Sequence, residues 1–204
     1  MNANATFPQQ TLAHPLRSQR LSQATHAPHE VLDRLVKAQA PFDSLEGFSR
    51  FVTAQYLFQA ELETLYNNPR LVIHFPDLPS RCRLEQARSD LSYLQVELPA
   101  AVPGAPAGLS LGESLGWIFV SEGSKLGAAF LLKRAEALGL SPTQGARHLA
   151  EPEGGRAAGW KAFVKALDAV ALDEREEQLA EAGALAAFER FTVLLQTAFA
   201  RAQA

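Results

Sequence analysis

The sequence predicts an all-α fold, a single-domain helical bundle, on three observations. Prolines fall in clusters and leave long proline-free windows, those windows carry apolar residues at helical spacing, and alternating strand-like patterns are scarce. Proline breaks helix interiors and is tolerated in the first turn. The windows therefore read as helices over 28–40, 45–67, 82–95, 110–138, 159–169 and 173–200.

The first window opens on Pro28 and places Leu32 and Val36 on one face with His29. The second carries Phe51, Tyr56, Phe58, Leu62, Leu65 and Tyr66. The last carries Phe188, Phe191, Leu195 and Phe199. PAAVPGAPAG at 99–108 and EPEGG at 151–155 read as loops, and no internal repeat is evident. A compact bundle of about six to eight helices is expected, with residues 1–15 a flexible N-terminal segment and 16–200 the domain.

At 204 residues with 47% apolar content, the chain can bury a single large core. Its net charge is −3 and its cations are dispersed, which argues against a nucleic-acid partner. The N-terminal stretch has no apolar signal region, and the longest unbroken apolar runs fall short of the ~20 residues of a membrane span. A soluble, cytoplasmic monomer is expected. Cys82 is the only cysteine and Met1 the only methionine, so internal disulfides and cysteine-held clusters are excluded. Histidine and carboxylates remain as metal ligands.

The window over 110–138 contains Gly112, Gly116, Gly123 and Gly127, each of which costs a helix about 1 kcal/mol relative to alanine. At ~100° per residue the four fall within about 60° of one another. They form a bare stripe, with Phe119, Phe130 and Arg134 on or beside it. Such a stripe either admits a flat ligand close to the backbone or serves a helix crossing.

Of the histidines His14, His26, His29, His74 and His148, one has an informative setting. His29 shares an apolar face, and Asp33 at i+4 could accept its outer ring N–H and orient it toward a metal. A core histidine with a satisfied hydrogen bond is the other reading. His26 and His29 together could also be two ligands one turn apart, but Pro28 between them places His26 outside the helix.

The segments PHEVLDRLVKAQAPF, FVTAQYLFQAELETLY, SLGWIFVSEGSKLGAAFLLKRA and GARHLAEPEGGRAAGWKAF resemble bacterial haem (heme) oxygenases of the iron-acquisition type. The resemblance runs from about Leu16 to Phe199. It implies that His29 is the proximal iron ligand and that Gly123 and Gly127 are the distal-helix glycines over the other haem face. Phe119 would shape the distal pocket, and Lys37 and Arg134 would meet the propionates, where charge-assisted contacts suit a carboxylate. Ser22 also sits where propionate contacts are expected, and Arg83 with its segment resembles a region supporting a distal water network. Tyr56, Phe58 and Phe191 would be core or pocket wall.

The implied chemistry is oxygenation of haem b, both cofactor and substrate, to biliverdin with release of carbon monoxide and ferrous iron. A distal wall without acidic or basic side chains is expected beside the oxygen. Electrons would come from a ferredoxin or flavin reductase, because the sequence has no strand-associated G-x-G-x-x-G and no cysteine cluster. Two rivals stand beside this reading. One is a non-catalytic haem carrier or sensor with His74 or His148 at the sixth position; the other is a thiaminase-like hydrolase using Cys82, whose thiol the flanking Arg81 and Arg83 could activate.

Overall fold

The computed structural model describes residues 15–100 and 108–200. The expected flexible segment 1–15 therefore lies outside the described residues, apart from its last position, as does 101–107 of the proline-rich loop.

Nine α-helices form among the described residues: α1 (Arg17–Ala24), α2 (His26–Gln39), α3 (Leu45–Tyr66), α4 (Pro69–Val72), α5 (Leu78–Arg81), α6 (Leu84–Tyr93), α7 (Leu111–Glu136), α8 (Arg156–Ala169) and α9 (Glu174–Ala200). A 3-10 turn covers Arg147–Leu149, and no strand occurs among the described residues. The proline-bounded windows coincide with the long helices to within a few residues. Three differences have physical causes.

Helix α2 starts at His26, not at Pro28. Proline is its third residue, still inside the first turn, where its missing N–H has no helical partner to lose. Helices α4 and α5 are single turns nucleated at prolines that read as breaks: Pro69 and Pro79 each occupy an opening position, and Asn68 caps α4 by accepting from the Arg70 amide at 2.9 Å.

Helix α1 was not expected, and its own sequence explains why. Only Leu21 among its residues is a buried apolar group. The helix is held by long-range polar contacts instead. Arg17 donates to the Val170 carbonyl at 2.8 Å, to the Leu167 carbonyl, and to both carboxylate oxygens of Glu177 at 2.7 and 2.9 Å. Ser18 donates through its amide and hydroxyl to Asp168, each at 2.8 Å. Such pairing leaves no periodic apolar signal.

The core lies among α3, α7 and α9 and is built from Phe48, Phe51, Leu62, Tyr66, Leu115, Ile118, Leu194 and Leu195. Helix α7 opens on a capping box in which Ser110 accepts from the Glu113 amide at 3.2 Å and Glu113 accepts from the Ser110 amide at 2.8 Å. By length and composition α7 could cross a membrane. Here it packs against α3, α8 and α9 in the middle of the bundle.

The most extensive helix contact is between α7 and α9, and glycine makes it possible. A Cβ on Gly112 would overlap the Glu176 carbonyl, and one on Gly116 the Ala180 carbonyl and Ala184 amide. Gly183 answers from α9, where a Cβ would strike the Glu113 backbone. Half of the glycine stripe is thus a helix crossing.

Replacing Gly116 with alanine tests this directly. Helix propensity alone would stabilise the variant by about 1 kcal/mol, whereas the overlap with α9 should destabilise it by about 3 kcal/mol in urea unfolding. A stabilised variant would show that the two backbones do not lie this close.

Candidate functional site

Past the glycine crossing, the bundle holds a cavity of about 460 Å³ bounded by α2, α3, α7 and α9, with α6 and the 3-10 turn at its inner end. This volume lies in the range of small-molecule and cofactor sites. Leu32, Val36, Phe58, Val120, Leu131 and Phe191 supply apolar wall. Helix α2 is amphipathic yet contributes no fully buried residue: Leu32 and Val36, partly buried against the core, also border this cavity.

His29 lines the cavity from α2, with its ring edge-on to Phe188 of α9 at 5.9 Å between centroids. Its Nδ1 lies 3.5 Å from an Asp33 carboxylate oxygen. The face expected from spacing is therefore the cavity face, although the side chain is 63% exposed. His26 belongs to the same helix and is absent from the lining, as is the exposed His74.

From α7, Gly127 borders the cavity with nothing within 4 Å of where a Cβ would stand. Gly123 faces Trp160 of α8, whose ring would lie 3.5 Å from an added Cβ. Phe119 packs on the same Trp160 at 5.4 Å between centroids and stands behind the lining. Phe130 is exposed and borders the cavity.

Two expected cations line the cavity, Lys37 from α2 and Arg134 from α7. The Arg134 guanidinium lies over the Phe42 ring at 4.6 Å and 3.8 Å from Asp43. Ser22 stands exposed on α1, outside the lining. Phe58 and Phe191 are wall, and Tyr56 is partly buried against the core.

Sequence reasoning assigned Arg83 to the support of a distal water network and missed the rest of the polar inner end: Lys125, Gln59 and His148 line it beside Arg83, so this wall carries charge. Behind it, Glu122 is 4% exposed and serves as the acceptor of a buried network. Its carboxylate takes the Tyr66 hydroxyl at 2.8 Å, Arg81 at 3.0 Å, and the Lys125 ammonium. Lys125 also donates to the Arg81 carbonyl at 2.7 Å, and Ser121 is within 2.8 Å of Tyr66 Oη. The contacts join α3, α5 and α7, elements far apart in sequence, and no local pattern announces them.

Burial pulls the Lys125 ammonium below its usual range, and Glu122 partly restores it. Burial, then the Glu122 charge, pushes the Tyr66 phenol well above its usual range, so it stays a donor. Burial lowers the Arg81 guanidinium, but Glu122 and Asp77 outweigh it and leave it raised. Burial also lowers Arg83.

The Cys82 thiol is pushed up, first by burial and further by Glu63 and Glu122, despite its arginine neighbours in sequence. The flanking arginines therefore do not activate it. That removes the basis for the hydrolase reading.

Two substitutions probe the site. Glu122→Gln leaves Lys125 without its buried counter-charge and Arg81 with Asp77 alone, and should destabilise the protein by about 3 kcal/mol in urea unfolding; an unchanged midpoint would show that the network holds nothing together. Gly127→Leu places a side chain in open cavity space and should weaken a cavity ligand by about tenfold or more, read by titration with hemin. Equal affinity would mean that the ligand does not approach this wall.

The heme oxygenase family model matches residues 16–197. Heme oxygenase PigA of Pseudomonas aeruginosa is 57% identical over 186 residues, covering 91% of this chain and 94% of that protein. The crystal structure of the NO- and CO-bound heme oxygenase from Neisseria meningitidis superposes with a TM-score of 0.87 at 34% identity, covering 92% of this chain and 94% of the other. With the match spanning nearly the whole helical domain and the fold shared, the chain belongs to the heme oxygenase family.

Proposed function

We propose that the chain binds haem in the cavity between α2 and α7 and oxidises it to biliverdin, releasing carbon monoxide and ferrous iron. Family membership supports an enzyme that degrades haem. The single observation carrying the assignment of the site is the cavity itself: a histidine on one helix, a side-chain-free glycine on the facing helix, and apolar walls between them.

The residues present fit the group. His29 would hold the iron through Nε2, since Nδ1 is turned toward the Asp33 carboxylate at 3.5 Å. Lys37 and Arg134 would meet the two propionates. Gly127 lets a flat ring approach the α7 backbone. Haem, when bound, would supply the iron that activates oxygen and the ring that is oxidised. Phe58, Val120 and Leu131 would keep bulk water out of the cavity around it. Electrons come from an outside ferredoxin or flavin reductase, the sequence having no motif for a redox centre of its own.

The decisive experiment mixes purified protein with hemin, an electron donor and oxygen. The Soret band should form on binding and then decay as biliverdin appears; a stable Soret band throughout would leave a carrier and not an enzyme. His29→Ala should remove the axial imidazole signature. Asp33→Ala keeps the ligand but should weaken hemin retention by about tenfold. If His26→Ala alters the axial spectrum and His29→Ala does not, the ligand is His26.

A further inference from the structure

The inner end of the cavity contains a polar atom that the folded chain leaves without a partner. Among the described residues two buried side-chain atoms lack a hydrogen bond, Gln86 Oε1 and His148 Nε2, and of these residues only His148 lines the cavity. The His148 side chain is 4% exposed, and Phe48 and Phe51 flank its ring at 6.1 and 6.5 Å. Native proteins seldom leave such a group unsatisfied, and a bound water or ligand is the usual partner.

The other edge of the ring is over-determined. Asp90, fully buried, accepts the Arg147 and His148 amides at 2.8 Å each and His148 Nδ1 at 2.7 Å. A carboxylate only accepts, so Nδ1 carries a hydrogen, and in the neutral tautomer this selects, Nε2 presents its lone pair. This is the carboxylate-histidine arrangement by which proteins aim an imidazole at a ligand. Here it is built from residues 58 positions apart. Arg83, on the same cavity wall, spends one N–H on the Ala150 carbonyl at 3.3 Å and is a donor of the complementary kind.

We propose that His148 is a further residue of the site: Asp90 fixes its tautomer, and Nε2 accepts a hydrogen bond from a water molecule standing between it and the oxygen-binding face of haem. Asp90 is then a positioning residue. The inference rests on haem occupying the cavity. It adds a polar group that orients the water at the free face, opposite His29.

Two measurements test it. In the ferric hemin complex, the midpoint pH of the visible-spectrum transition should shift by roughly 0.7 unit in His148→Phe, the change for losing one ordinary hydrogen bond to one protonation state. Asp90→Asn, which keeps the ring but turns one of the two acceptor oxygens into an NH2 donor, no longer dictates the tautomer and should shift the midpoint as well. An unchanged midpoint in both variants, with the axial imidazole spectrum intact, overturns the proposal and leaves the haem site standing. Failure of the unaltered protein to bind hemin overturns both.

Should either variant not fold, nitrogen-15 histidine NMR of the unaltered protein with gallium protoporphyrin decides the matter. A His148 Nε2 resonance typical of a nitrogen accepting a hydrogen bond is expected; a resonance typical of an unpartnered nitrogen overturns the proposal.

Discussion

The position of α7 over the cavity depends on the backbone contact that Gly112, Gly116 and Gly183 make with one another's helices. Three glycines weaken two helices by about 3 kcal/mol in propensity alone. Close packing of α7 on α9 offsets this, and it also sets the rotation of α7 about its axis. With Gly116 held on α9, the positions that follow at helical spacing, Val120, Ser124, Gly127 and Leu131, turn to the cavity. On α9 the small residues Ala180, Gly183, Ala184 and Ala187 are followed by Phe188 and Phe191, both of which line the cavity. The change from small to large side chains separates the helices where the ligand is needed.

The walls differ sharply in character from the inner end. Apolar side chains and a bare backbone bound most of the cavity, while Arg83, Lys125, Gln59 and His148 gather at one end. Burying such groups is costly unless each is paired. Glu122 meets that cost for Lys125 and Arg81, and Asp90 for His148 Nδ1. Both carboxylates are almost wholly buried and stand behind the cavity wall, so neither is itself among the lining residues. They hold the polar groups in fixed orientations, which is the condition for a hydrogen-bonded water to be ordered rather than merely present.

Much of the fold was legible because proline spacing and apolar periodicity are local signals. They located the long helices within a few residues and put His29, Leu32 and Val36 on one face. The glycine stripe was legible as an anomaly, but not its division: periodicity places Gly112 and Gly127 on one face and says nothing of what that face meets along its length. Helix α1 was invisible because Arg17 and Ser18 hold it to Glu177 and Asp168, some 150 to 160 residues away. The same reason hid the polar inner end. Glu122 with Arg81 and Tyr66, and Asp90 with His148, are pairs that exist only after the chain has closed on itself.

Helix α2 stands apart from the other long helices. It ends at Ala40, a non-glycine residue in the left-handed region at φ 46°, and it contributes no fully buried side chain. Helix α7, by contrast, is seated backbone against backbone, where no rotamer change can absorb a shift. Helix α2 meets the bundle through the partly buried Leu32, Leu35 and Val36 instead. The histidine therefore stands on a helix held through side chains, and the glycine across the cavity on a helix anchored by backbone contact.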